Sequence, residues 1–165
     1  MLVIKDSMVV IHLAKATLLE RSCLYFRRVL IPKLVQEEVT RGEYPETGLI
    51  QGLIKSKKII IEAVKDKNFI HRANQFNIQR GEAEAVALYW EQHADFIATD
   101  DDNVRKKKDI LQLKIIGTPA IILTLYQEKY INHGKLREAI EIMRKVGWFS
   151  SVIWDKILMD AEKNE

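Results

Sequence analysis

One cysteine, Cys23, among 165 residues has no partner in the chain, which excludes internal disulfides and any thiolate zinc cluster. It reads as a small apolar core residue in a reducing compartment. Three prolines and seven glycines are too few for a low-complexity linker and predict a regular fold with short connections. No apolar run approaches the roughly 18 residues that span a bilayer. Lys5, Asp6 and His12 interrupt the first apolar stretch, so it does not read as a signal peptide. A soluble, cytoplasmic protein is expected. Charge of one sign is also scarce: 26 Lys and Arg against 23 Asp and Glu leave +3, which permits a polyanionic partner without requiring one. His12, His71, His93 and His133 are scattered without metal-ligand spacing, and His12 reads as a satisfied, partly buried residue. Phosphate-binding glycine loops, dinucleotide fingerprints and the nucleophile elbow are missing.

What is present is an alternation of short apolar runs with helical periodicity. Leu2-Val3-Ile4, Val29-Leu30-Ile31, Lys58 to Val64, Asp95 to Ala98 and Leu113 to Ile116 read as strands. Helices are expected over Ser7–Ala16, Leu18–Arg28, Lys33–Arg41, a segment from Gly48 to about Ser56, Asp66–Phe76, Gly81–Gln92 and Asn103–Leu111. Others should start at Gly117-Thr118-Pro119 and cover Lys135–Val146 and Ser150–Glu162. In the last of these, Val152, Ile153, Ile157, Leu158 and Ala161 form the expected buried stripe. Parallel strands need helical crossovers, so the pattern predicts an α/β fold with a central parallel β-sheet between helical layers. No repeat or linker divides the chain, which reads as one domain over residues 1–165.

The densest chemistry lies in Thr99-Asp100-Asp101-Asp102, where an apolar strand ends in three carboxylates. In an open α/β sheet the carboxyl ends of the strands are where ligands bind. Three further acidic places follow: Asp6 after the first strand, Glu38 beside the Val35/Val39 stripe, and Glu84 with Glu82 near the start of the clearest helix. Each alone has an ordinary explanation as a cap, a solvated charge or a partner of the helix dipole. Gathered at one sheet edge they do not, because two carboxylates ~4 Å apart repel by roughly 4 kcal/mol at an effective dielectric near 20. A divalent cation would offset that repulsion, and oxygen ligands select Mg²⁺ or Mn²⁺ over zinc. Such an ion can activate water against a phosphodiester. Arg105, Lys106 and Lys107, directly after the aspartates, then stand where a nucleic-acid backbone would pass.

In four stretches the chain resembles a PIN domain, the small nuclease fold of the VapC-type toxins of toxin–antitoxin modules. They are Val3-Ile4-Lys5-Asp6-Ser7 running into Ile11-His12-Leu13-Ala14-Lys15; Ile31-Pro32 through Glu37-Glu38-Val39; Gly81-Glu82-Ala83-Glu84-Ala85-Val86-Ala87-Leu88; and Thr99-Asp100-Asp101 through Val104-Arg105 to Ile116-Gly117-Thr118-Pro119. The resemblance covers most of residues 2–131, leaving 132–165 as a C-terminal helical extension. It implies a three-layer α/β/α fold and catalytic carboxylates Asp6, Glu38, Glu84 and Asp101, with Asp100 joining them around Mg²⁺ or Mn²⁺. It also implies cleavage of RNA, inhibition by a small antitoxin protein, and a homodimer. Met8 and Ala120 depart from the family's usual small or hydroxyl residue and glycine. A catalytically inactive RNA- or protein-binding module of the same fold is the alternative. A phospho-accepting aspartate domain is disfavoured, since Asp6-Ser7-Met8 lacks the second aspartate it would need.

Overall fold

The computed structural model describes residues 1–163; the final two residues of the expected C-terminal extension lie outside this range. Five strands form one parallel sheet: β1 (Leu2–Lys5), β2 (Arg28–Ile31), β3 (Ile60–Ile61), β4 (Phe96–Ala98) and β5 (Ile115–Ile116). Their spatial order is β3-β2-β1-β4-β5. The chain therefore builds outward from β1 to one side, then crosses back and adds β4 and β5 on the other. β1 is the hinge of that reversal, pairing Val3 with Val29 of β2 and with Phe96 of β4. The crevice above the β1/β4 carboxyl ends is the topological switch point of the sheet.

Side-chain alternation along the strands feeds two helical layers. Val3, Val29, Ile31 and Ala98 face α1 (Ser7–Lys15), α2 (Leu19–Phe26), α3 (Lys33–Thr40), α4 (Pro45–Lys55), α8 (Thr118–Gln127), α9 (His133–Val146) and α10 (Ser151–Glu162). Leu2, Ile4, Leu30 and Ile97 face α5 (Lys67–Gln75), α6 (Arg80–Gln92) and α7 (Asp102–Lys106). This is a three-layer α/β/α architecture. None of the helices among the described residues is long and apolar enough to cross a membrane.

Several expected elements are shorter or shifted, for identifiable reasons. The strand expected over Lys58–Val64 survives only at Ile60–Ile61, because at the sheet edge it has β2 alone to pair with. β5 is an edge strand too and keeps two of the expected four residues. α4 starts before the expected Gly48, at Pro45, whose fixed φ suits a first helical position. α7 stops at Lys106 rather than Leu111: Gln112 turns left-handed (φ 55°) and Leu113 N–H bonds back to Lys108 O. In α10 the buried face is Trp154, Ile157 and Ala161, whereas Val152, expected inside, is 73% exposed. Trp154, packed edge-on to Phe149, is the largest side chain available and sets the helix phase.

Lys5 is fully buried at the end of β1. Its ammonium donates to Ser22 Oγ and lies 5.3 Å from the centre of the Phe26 ring. Burial depresses its pKa to about 8, with Cys23 nearby opposing the shift slightly. Charging it inside the fold thus costs on the order of 3 kcal/mol below pH 8, a penalty that fades as pH rises towards its unfolded value. Ser22 Oγ donates to Leu19 O, so it keeps a partner without Lys5. Lys5→Met is expected to raise the melting temperature by several degrees at neutral pH and by less near pH 10, which circular-dichroism melts will show.

Candidate active site

Asp6 follows β1 directly and caps α1, its Oδ1 accepting from Ser7 N at 2.8 Å. Its other oxygen accepts from Thr99 Oγ1, 3.0 Å away at the end of β4, so one carboxylate bridges the two strands at the switch point. The backbone agrees, with Asp6 N–H donating to Ala98 O at 2.9 Å. Asp6 is only 4% exposed. Burial first, then the charge of Glu82, push its pKa up to about 7; hydrogen bonds from Ser7 and Thr99 oppose this, and Glu38 adds to it.

Glu38 comes from the second half of α3. The Ser7 hydroxyl donates to its Oε2, which ties it to the residue next to Asp6. Its carboxylate also lies against the bare Cα of Gly81: a Cβ there would stand 2.6 Å from Oε1. That glycine, in the first turn of α6, is what lets α3 and α6 bring their acids together. Glu82 follows it and is half-buried. Desolvation raises its pKa, a backbone hydrogen bond lowers it, and the charges of Asp101 and Glu38 raise it further. Asp101 caps α7 through Oδ1 to Val104 N at 2.9 Å, and its own N–H donates to Thr99 Oγ1 at 3.1 Å. Asp6, Glu38, Glu82 and Asp101 thus interact electrostatically across the β1/β4 crevice.

Two acids expected in the site have other partners. Glu84 turns the other way, its Oε2 3.3 Å from Leu34 N. It serves the amino end of α3, where Pro32 offers no side-chain cap. Two residues along a helix is a rotation of about 200°, so Glu82 and Glu84 cannot share a face. Asp100 is buried at 3% exposure, accepting from Thr118 N at 2.8 Å and Thr118 Oγ1 at 2.5 Å. His12 Nδ1 lies 2.8 Å from its Oδ2. Asp100 is therefore the cap of α8, which has no side-chain cap of its own on Gly117. His12, expected to be partly exposed and satisfied, is completely buried, and its Nε2 has no hydrogen-bond partner among the described residues.

Arg105 and Lys106 are exposed beside the site, in a groove that also takes in Lys108 and Lys114. Lys107 is engaged elsewhere, donating to Phe76 O at 2.6 Å and Asn103 Oδ1 at 2.7 Å. Ser7, Thr99 and Gly81 contact the acids directly, a role the sequence does not assign them. Only Gly81 left a trace there, as a glycine placed in the first turn of an otherwise strong helix.

Residues 2–163 match the PIN domain family. The chain belongs to that family. No curated protein and no solved structure matches it. PIN domains are generally nucleases, and those nucleases typically use divalent metal ions. This PIN domain accordingly has a nuclease-like fold, and its membership supports a hydrolase acting on nucleic acid.

The donors fit such an ion in kind: all are carboxylates, and burial, with the charges of Glu82 and Glu38, raises the pKa of Asp6. Among the described residues, no three acidic, histidine or cysteine side chains form a group that could hold a metal ion as placed. Mg²⁺ keeps several waters and takes one or two carboxylates directly, so the remaining acids would reach such an ion through water.

Because the folded pKa of Asp6 exceeds its unfolded value, its ionisation destabilises the fold as pH rises from about 4 through about 7. Metal-free protein should melt lower at about pH 8 than at about pH 5, and Asp6→Asn should flatten that difference. Millimolar Mg²⁺ or Mn²⁺ should raise the wild-type melting temperature more at the higher pH. Gly81→Ala should keep or slightly raise stability, since alanine gains up to ~1 kcal/mol in a helix. By displacing Glu38 it should also blunt the metal response in the same melts.

Proposed function

We propose that this PIN domain is an Mg²⁺- or Mn²⁺-dependent endoribonuclease in which Asp6, Glu38, Glu82 and Asp101 hold the metal. The convergence of these four carboxylates on the β1/β4 crevice, with Asp6 pushed up to about 7, carries the reading. Acids arranged to repel one another in the free protein are arranged to attract a cation. When bound, the metal ion supplies an activated water and charge stabilisation at the scissile phosphate.

The chain's own residues do the positioning. Ser7 N and Thr99 Oγ1 fix both oxygens of Asp6, the Ser7 hydroxyl fixes Glu38, and Thr99 also fixes the backbone of Asp101. Two hydroxyls therefore orient two carboxylates and the backbone of a third acid, which keeps the acids in place before any ligand arrives. Arg105 and Lys106 neutralise backbone phosphates beside the crevice, and Lys108 and Lys114 extend their groove. The toxin role, the small antitoxin protein and the homodimer rest on the likeness of the four sequence stretches to VapC-type toxins.

A metal-free binding module of the same fold would make no use of Asp6's raised pKa, and the crowding of the acids favours the enzyme. Purified protein incubated with single-stranded RNA and Mn²⁺ tests this directly. Asp6→Asn, Glu82→Gln and Asp101→Asn are each expected to slow cleavage by roughly a hundredfold or more. Glu84→Gln should cleave within a few-fold of wild type and lose only about 1 kcal/mol of stability, through the weakened α3 cap. RNA retained without products by the wild type would favour the binding module. The reverse ranking of Glu82 and Glu84 would return Glu84 to the site.

A further inference from the structure

The turn between α9 and α10 (residues 147–150) presents an indole to solvent at the sheet's carboxyl edge. Trp148 is 50% exposed, an expensive placement for so large an apolar surface. It is nevertheless fixed: Nε1 reaches Asp100 O at 3.4 Å, and its ring meets that of His12 edge-on at 5.2 Å. Phe149 braces the same turn, 5.5 Å from His12 on one side and 5.5 Å from Trp154 on the other. An exposed tryptophan held this firmly, one residue from Asp101, is a rigid aromatic surface rather than a loose side chain.

Trp148 forms one wall of a cleft whose apolar floor includes Pro119, Leu123 and Ile153. Arg105 and Lys156 also line it, together with the acids Asp100, Asp102 and Asp160. Among the described residues, neither the Arg105 nor the Lys156 side chain has a hydrogen-bond or ion-pair partner. Arg105 reaches the cleft across Gly117, where a Cβ would come within 2.6 Å of its Nη1, so the glycine admits the guanidinium. A flat aromatic face, an apolar floor and two uncommitted cations match a nucleotide: base against the ring, phosphate against the charge. A purely apolar protein segment would leave both cations without partners.

We propose that this cleft is a nucleobase subsite, in which Trp148 stacks on an unpaired base of the RNA strand and Arg105 holds its phosphate. The proposal rests on the nuclease reading above and adds to it the path of the strand, from the acidic crevice over β4 towards the α9–α10 turn. It makes single-strandedness a requirement, since a paired base has no free face to offer.

The test uses full-length protein and a fluorescein-labelled single-stranded oligoribonucleotide, with copies carrying one abasic position each. Binding is read by anisotropy without metal, and cleavage is read in Mn²⁺. Trp148→Ala is expected to weaken binding by about five- to 150-fold, with Trp148→Phe recovering most of it. One abasic position should remove the difference between Trp148→Ala and wild type. A loss that is equal on every abasic copy would mean that Trp148 only braces the turn, and would overturn the stacking. Wild type that cleaves RNA while Trp148→Ala binds and cleaves equally well would overturn the subsite, leave the nuclease reading standing, and assign the exposed face to a protein partner. Wild type that neither binds nor cleaves would overturn both.

Discussion

Everything at the carboxyl edge of this sheet depends on one buried carboxylate, Asp6, shared between two strands. It accepts from Ser7 N at the start of α1 and from Thr99 Oγ1 at the end of β4. Those bonds close the seam where the strand order reverses, which no hydrophobic contact could do as directionally. They do not fully compensate the burial. With Glu82 and Glu38 also bearing on it, the group is pushed up to about 7. The fold therefore keeps a destabilised acid at its centre, as functional sites commonly do when strain is matched to a ligand.

The hydroxyl pair explains how such crowding is tolerated. Ser7 serves Asp6 with its backbone and Glu38 with its side chain. Thr99 serves Asp6 through its hydroxyl proton and receives the Asp101 N–H on the same oxygen. The bonds to Asp6 and Glu38 fix carboxylates without neutralising them. A lysine or arginine in either position would have quenched the charge and left a cation little to gain. Gly81 contributes space rather than a bond, since Glu38 occupies the volume that any larger residue would take.

Much of this was legible in the sequence, and the failures follow a pattern. Short apolar runs located all five strands, and their alternation with helical segments pointed to the parallel sheet between helical layers. Edge strands were overestimated at Lys58–Val64 and Leu113–Ile116, because β-branched composition does not report how many neighbours a strand will have. In α10 the stripe holds at Ile157 and Ala161 but not at Val152 and Ile153, whose place at the start of the buried face Trp154 takes. Helix phase likewise decided between Glu82 and Glu84. Both lie in the first turn of α6 or just past it, and only the approach of α3 shows that one meets Asp101's charge while the other meets Leu34 N. Tertiary partners, not local pattern, assign the face.

The three consecutive aspartates show the same logic within three residues. A single cap would have accounted for one of them, and the excess read as metal ligation. In the folded chain two helices start close together at the end of β4 and β5, and each needs its first N–H groups satisfied. Asp100 turns inward and caps α8 across the sheet, through Thr118, while holding His12. Asp101 caps its own α7 with one oxygen and bears on Glu82 with its charge. Asp102 is exposed at the mouth of the cleft that Trp148 lines. Extended backbone sends successive side chains to opposite sides, so neighbours in sequence serve different layers. The middle residue alone is aimed at the crevice, because Asp100 is already committed to the α8 side and Asp102 to the solvent.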